Sequence, residues 1–124
     1  MIEAPTPKDI TESLKIEQDN KKYILLIKIQ GDKMTLIVSE PDEIGSPNFI
    51  KKMTLQEIKE THKQFLGLNS CNEFSDYIKA LLERKKLSII KKEDQLYINL
   101  SFEYLFKQVS FNIILSLEKK ILMK

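Results

Sequence analysis

The chain has 124 residues, of which 42% are hydrophobic and 31% are charged. This length suits one domain with a sizeable core. Its 20 Lys and Arg against 18 Asp and Glu give a formal net charge of +2. Such a balance provides no strong basic field for nucleic acid or an anionic membrane, so we expect neither as a partner.

A single cysteine excludes a disulfide framework and a zinc site built on cysteine pairs, and it suits a reducing compartment. No apolar run is long enough to span a bilayer, and the first residues lack the order of a signal peptide. We therefore expect a cytoplasmic protein.

The N-terminal segment predicts an arm, because Pro5 and Pro7 fix the backbone and remove hydrogen-bond donors. Within it, Leu14 and Ile16 alternate and are compatible with the start of a short edge strand. The predicted organisation is a partly flexible arm over 1–20, one domain over 21–118 and a tail over 119–124.

Hydrophobic residues at every second position predict a β-hairpin over residues 22–39, with its turn at Gly31-Asp32. The segment from Glu40 to Pro47 is rich in turn-forming residues and predicts a loop. A short third strand is predicted over 48–53.

Two helices are predicted next, because the apolar spacing changes from two to helical. Thr54 and Glu57 match a capping box at the start of the first helix, and Gly67 is placed to end it in a left-handed conformation. Ser70 and Glu73 match a second capping box, before the clearest amphipathic stripe in the chain.

Residues 87–117 return to a period of two and predict a three-stranded antiparallel meander. The order of strands, two helices and strands predicts an α+β domain. We expect a small antiparallel β-sandwich or barrel with an inserted helical hairpin.

The sequence offers little for catalysis. His62 lacks further metal ligands at helical spacing, and Cys71 lies at the start of the second helix, where the helix dipole lowers a thiol pKa. No convergent acid, base and nucleophile is visible. We therefore expect a protein that is not an enzyme, with no cofactor, no metal and no small-molecule substrate.

The anomalous feature is the last hairpin connection, where Tyr104, Leu105 and Phe106 replace the usual Gly, Asn, Asp or Pro. Two arrangements fit the pattern. Either the three side chains project from the tip as a protein contact, or the strands continue and the side chains pack over an open end of the sandwich.

This hairpin carries a family resemblance over residues 105–113, which read Leu-Phe-Lys-Gln-Val-Ser-Phe-Asn-Ile. The segment and the order of elements resemble the globular head shared by the centriolar cartwheel protein and the DNA end-joining scaffold that partners DNA ligase IV. Phe106-Lys107 matches the cartwheel protein's Phe-Lys pair and Val109 its Leu, whereas Tyr104 stands where that motif has Asn.

The resemblance implies that Phe106 inserts into a pocket of a second head, and it makes Tyr104, Leu105, Phe106 and Lys107 the expected protein-binding residues. We expect the pocket to be lined by apolar residues of the helical hairpin and neighbouring strands. Family members continue into a coiled coil, of which residues 118–124 offer only Ile121 and Leu122 as heptad positions. Both a head from a longer protein and a stand-alone head are compatible with this.

The first functional hypothesis is a non-catalytic scaffold module that contacts itself or another structural protein through this hairpin. The alternative is a small ciliary or microtubule-associated structural protein that docks through its N-terminal arm and the 40–50 loop. Both hypotheses place the protein in a cytoskeletal assembly, at the centriole, basal body or cilium.

Overall fold

The computed structural model describes residues 10–41, 45 and 47–117. They form seven strands and two α-helices, with a short 3-10 helix at Lys63–Phe65 between the two helices. The strands are β1 (Ile10–Gln18), β2 (Lys21–Gln30), β3 (Lys33–Ser39), β4 (Phe49–Thr54), β5 (Leu87–Lys91), β6 (Gln95–Tyr104) and β7 (Lys107–Leu117). The helices are α1 (Leu55–Thr61) and α2 (Cys71–Glu83).

The seven strands make one sheet in the order β1-β2-β3-β4-β7-β6-β5, and every neighbouring pair is antiparallel. The sheet curls into a nearly closed barrel with the two helices inserted between β4 and β5, so the domain is broadly α+β and mostly β. The predicted hairpin, third strand, helix pair and meander are all present in this order. Of the two predicted forms, sandwich or barrel, the structure resembles the barrel.

The β4–β7 pairing is short. It comprises Phe49 with Leu117 and Ile50 with Ser116. Beyond these two pairs, the two strands separate toward the end where α1 follows β4. Within the described part of the chain, most of β7 is therefore hydrogen-bonded to a strand on one side only, the side of β6.

The prediction of an arm over residues 1–20 is wrong for its second half. Ile10–Gln18 forms β1, which pairs along its whole length with β2. Ile16 is buried in the core at 2% exposure, because the alternation that begins at Leu14 directs its side chain inward. Residues 1–9 lie outside the described part of the chain, as do 42–44 and 46 of the predicted loop.

The core lies between the inner faces of the strands and the inserted helices. Strands β2, β3 and β6 alternate strictly between buried and solvent-facing side chains, as the period of two predicts. Side chains with no or almost no exposed surface come from both parts of the sheet and from the insertion: Leu25, Ile27, Leu36, Phe49, Ile58, Phe65, Phe74, Ile78, Leu96, Ile98 and Leu100.

Helix α1 is shorter than predicted and ends at Thr61. His62 has an extended backbone, and its Nδ1 accepts a hydrogen bond of 2.9 Å from the amide of Gln64, the second residue of the 3-10 helix. The side chain thereby caps a new turn in place of a further turn of α1. Gly67 does not have the left-handed conformation predicted for it; among the described glycines, Gly31 and Gly45 have positive φ.

Helix α2 follows the prediction closely. Ser70 caps it by accepting from the amide of Glu73 at 3.2 Å, and its buried stripe includes Phe74, Ile78 and Leu81. On its other side, Lys79 forms an ion pair of 2.8 Å with Glu12 of β1. The helix therefore packs on the core and also lies against the edge strand β1.

Candidate protein-contact site

The hairpin between β6 and β7 closes with a two-residue turn. Tyr104 pairs with Lys107, and the turn residues Leu105 and Phe106 have φ of 50° and 66°. Positive φ at both central positions is the signature of a type I′ turn, whose twist matches the twist of the flanking strands. The connection is thus as tight as a hairpin permits.

The two turn residues project into solvent. Leu105 is 73% exposed and Phe106 is fully exposed, at 102%. Of the two arrangements compatible with the sequence, the projecting one holds for these two residues, which we call the apolar tip. Lys107 beside them is also exposed.

Tyr104 behaves differently from the apolar tip because it packs partly on the core. Its ring meets the His62 ring edge to face at a centroid distance of 5.2 Å, and His62 meets Phe102 at 5.3 Å. Phe65 lies 5.5 Å from Phe111 of β7. These aromatic contacts hold both strands of the hairpin against the inserted segment, so the apolar tip stands on a packed base.

The solvent-facing side of the hairpin carries an uncharged polar ladder. The side-chain amide of Asn99 donates to Ser110 at 2.7 Å and to Asn112 at 2.8 Å, and Gln108 donates to Ser101. Because these bonds cross between β6 and β7, they stiffen the hairpin below the apolar tip.

A cavity lies next to the apolar tip, between α2 and the end of β6. Its lining includes Tyr77, Leu81 and Phe102 as well as polar residues such as Arg84 and Glu103. Burial raises the pKa of the Tyr77 phenol. The lining thus combines apolar residues of α2 and β6 with charged and polar ones.

Sequence reasoning missed a second exposed apolar feature on the outer face of the meander. Ile90 of β5 pairs with Tyr97 of β6, which pairs with Ile114 of β7. Ile114 is 45% and Ile90 is 40% exposed. The signal was present, since Ile113-Ile114 breaks the alternation of β7 and directs one isoleucine to each face.

Cys71 and His62, the sequence's candidates for catalysis, both lie in structural positions. Cys71 is fully buried, and its burial, with a smaller effect of the Asp32 charge, raises the pKa of the thiol, opposite to the effect of a helix dipole. His62 serves as the turn cap described above. No group of three or more potential metal-ligating side chains occurs within the described residues.

The alternative docking site, the arm with the 40–50 loop, is only partly described. Its residues 10–18 belong to β1 and are therefore held in the sheet.

Among the described residues, no helix is long and apolar enough to cross a membrane.

The comparisons with known proteins rest on structure. No protein-family model matches the sequence, and no curated protein matches it. Among solved structures, the chain is similar to the head domain of human CCDC61, with a TM-score of 0.66 and 11% sequence identity. The match covers 86% of this chain and 99% of that one. At this identity the likeness concerns the fold, so the chain shares the fold of a head domain.

Proposed function

We propose that this chain is a non-catalytic scaffold module that contacts a second copy of itself, or another structural protein, through the apolar tip. The observation that carries the proposal is the full exposure of Phe106 at the end of a rigid hairpin. Large aromatic residues at the centre of a contact are typical binding hot spots.

The energetics favour a contact role for the apolar tip. Burial of a fully exposed Phe side chain contributes about 1.5–3 kcal/mol, and Leu105 adds to the same surface. The polar ladder and the packed aromatic base restrict motion below the tip. Less conformational entropy is then lost when a partner binds.

The cellular setting is proposed from resemblance. The hairpin segment resembles that of the centriolar cartwheel protein, and the fold is that of a head domain. On this basis the partners belong to a microtubule-based assembly, such as a centriole, basal body or cilium, and the protein acts in the cytoplasm. The end-joining scaffold remains the second member of the same resemblance.

The test replaces Phe106 with Asp and measures sedimentation velocity over a range of protein concentrations. We expect self-association to weaken at least 10-fold, because a charge replaces the side chain that becomes buried. Leu66→Asp is the matched control, since Leu66 is also an exposed apolar residue, at 58%, but lies in the inserted segment.

Circular dichroism checks that both variants remain folded. Self-association that is unchanged in Phe106→Asp would contradict the proposal for a second copy. An equal loss in Leu66→Asp would also contradict it, because the effect would then follow surface hydrophobicity in general.

A further inference from the structure

Within residues 10–41, 45 and 47–117, no strand pairs with residues 108–114 on the side of β7 that faces away from β6. In an antiparallel ladder, alternate residues direct their N–H and C=O to opposite neighbours. The turn makes Tyr104 and Lys107 a hydrogen-bonded pair, so the groups of Gln108, Ser110, Asn112 and Ile114 point away from β6. We call this stretch, residues 108–114, the open edge.

Two observations support this assignment. Ser116 continues the same series, and it is the residue that pairs with Ile50 of β4. Ser101, which lies opposite Ser110, directs its amide away from β7 and donates to the Lys86 carbonyl at 2.9 Å. Among the described residues, β7 pairs with β4 through Ser116 and Leu117 alone, so the open edge lacks a neighbouring strand.

The edge strand β1 has protection that the open edge lacks. β1 carries Glu12, Lys15 and Glu17 and is flanked by α2 through the Lys79–Glu12 ion pair. Charged side chains and covering elements are the usual devices against edge-to-edge pairing. In contrast, residues 108–117 contain no charge, proline or glycine.

We infer that the open edge pairs with the open edge of a second copy, antiparallel and about a two-fold axis at Ser110. This inference rests on the proposed function and specifies its contact. Such a register sets Ser110 opposite itself, Gln108 opposite Asn112, and Val109 opposite Phe111, which is a favourable β-branched and aromatic pair. Phe106 then takes the position opposite Ile114 of the second copy.

The register is selected by the exposed residues and by β4. It brings the two exposed apolar features of the hairpin, Phe106 and Ile114, together. It also leaves free residues 116 and 117, to which β4 is attached. A two-fold axis shifted to residue 111 would set Phe106 against Ser116, where β4 already pairs.

Charge favours a second copy as the occupant. The open edge is neutral over its whole length, so two copies approach without like charges in opposition. β1, in contrast, carries the charged side chains of Glu12, Lys15 and Glu17 along its length. An isologous contact of this kind also closes a dimer and leaves no further open edge at β7.

A charge exchange at the two-fold axis tests the inference. Ser110 is exposed, and its position opposite itself means that Ser110→Lys and Ser110→Glu each place like charges face to face. We expect each variant alone to dimerise at least 10-fold more weakly than the natural chain in sedimentation velocity. An equimolar mixture should form a heterodimer, because opposite charges then meet.

Ser13→Lys and Ser13→Glu are matched controls, since Ser13 is an exposed serine on β1 whose backbone groups also point away from the neighbouring strand. We expect these variants to dimerise like the natural chain. Ser110→Ala controls for the hydroxyl that accepts from Asn99 and should also dimerise.

The outcomes separate this inference from the proposed function. If Phe106→Asp abolishes self-association while both charged variants at Ser110 retain it, the apolar tip binds elsewhere and the inference is overturned. If the single variants dissociate but their mixture does not associate, the two-fold register is wrong. A natural chain that stays monomeric at all concentrations would overturn the inference. The proposed function would then hold only for contact with another structural protein.

Discussion

At the scale of single residues, Leu105 and Phe106 of the apolar tip have a backbone conformation that their residue types disfavour. Leu105 and Phe106 both have positive φ, which costs roughly 1–2 kcal/mol per residue for ordinary L-amino acids. The β1–β2 turn has the same geometry with Asp19 and Asn20, at φ of 51° and 65°, and these residue types tolerate it well. The residues of the apolar tip are therefore unfavourable for the turn itself.

Replacement of Leu105 and Phe106 by residues that favour the turn should change stability and self-association in opposite directions. We expect the double substitution Leu105→Asn with Phe106→Gly to raise the free energy of unfolding by about 1–2 kcal/mol, because Asn-Gly is the preferred type I′ pair. Self-association should be lost at the same time. Urea denaturation and sedimentation measure the two effects.

The control for this exchange is Asp19→Asn with Asn20→Gly, which should change the free energy of unfolding by less, about 0–0.5 kcal/mol, because the natural residues already suit the turn. A double variant at the tip that is less stable than the natural chain would show that Leu105 and Phe106 stabilise the monomer.

The sequence identifies the unusual connection but not which of its three residues pack on the core and which are exposed. A connection with three large apolar residues is visible by inspection of residues 104–106. That Tyr104 packs and Phe106 does not depends on the His62 ring, which is 42 positions earlier in the chain than Tyr104. No local periodicity carries that contact.

At the scale of elements, the capping box of α1 couples helix formation to pH. The Thr54 hydroxyl accepts from the Glu57 amide at 3.1 Å, and the Thr54 amide donates to the Glu57 carboxylate at 2.9 Å. The backbone hydrogen bond from Thr54, followed by its side-chain hydrogen bond, lowers the pKa of Glu57 from the ordinary value of 4.5. The folded chain therefore binds this proton less readily than the unfolded chain.

The sign of the pH effect follows from this lowered pKa. Stabilisation by the Glu57 charge is complete above pH 4.5 and is lost as the pH falls through the lower pKa of the folded state. We expect the natural chain to be more stable than Glu57→Gln at pH 7, and this difference to shrink on acidification. Urea titrations of both proteins at several pH values measure it.

Thr54→Ala supplies the control for this titration, because it removes the hydroxyl of the capping box. In that background, we expect the Glu57→Gln substitution to have a smaller effect on stability. A difference between the natural chain and Glu57→Gln that grows on acidification would contradict the assignment.

The capping box of α1, the Ser70 cap of α2 and the apolar stripe of α2 follow from the sequence, because each depends on residues within two helical turns of one another. The second predicted capping box is incomplete, because the Glu73 carboxylate accepts from the amide of Asn69 and not from that of Ser70. The end of α1 does not follow from the sequence, since the periodicity alone continues to Leu66 and the cap by His62 interrupts it. The strand β1 was obscured by Pro5 and Pro7, which indicate an arm but stand before Ile10, where pairing begins.

At the scale of the whole molecule, two polar contacts tie distant strands together. The Gln18 side chain donates to the Ile89 carbonyl at 2.7 Å and accepts from the Ile89 amide at 2.8 Å, which joins β1 to β5. Glu40, just after β3, lies 2.8 Å from the Lys91 ammonium at the end of β5. Together these contacts bring the first half of the sheet to its last strands.

Removal of the Gln18 amide should loosen this closure. We expect Gln18→Leu to lower the free energy of unfolding by about 1–3 kcal/mol, because the part-buried N–H and C=O of Ile89 lose their partners. Gln56→Leu is the control, as Gln56 is exposed on α1. Equal losses in urea denaturation for both variants would contradict a special role for Gln18.

The order of strands and helices, and hence the fold class, can be predicted from the sequence, because the spacing of hydrophobic residues within each element indicates its type and its buried side. The closure of the barrel is not readable. It involves contacts between residues far apart in the chain, such as Gln18 with Ile89, 71 positions later. Gln18 lies beside a turn, where a polar residue is ordinary. The order of elements predicted a sandwich or a barrel without deciding between the two.

The burial of Cys71 makes its thiol a natural probe of local opening in the domain. It is the chain's single cysteine and has no exposed surface, so a thiol reagent reaches it only when α2 moves away from the sheet. The labelling rate then reports how often this part of the domain opens, without any introduced dye or tag. The same rate, compared between monomer and assembly, reveals whether contact at the hairpin slows the opening of α2.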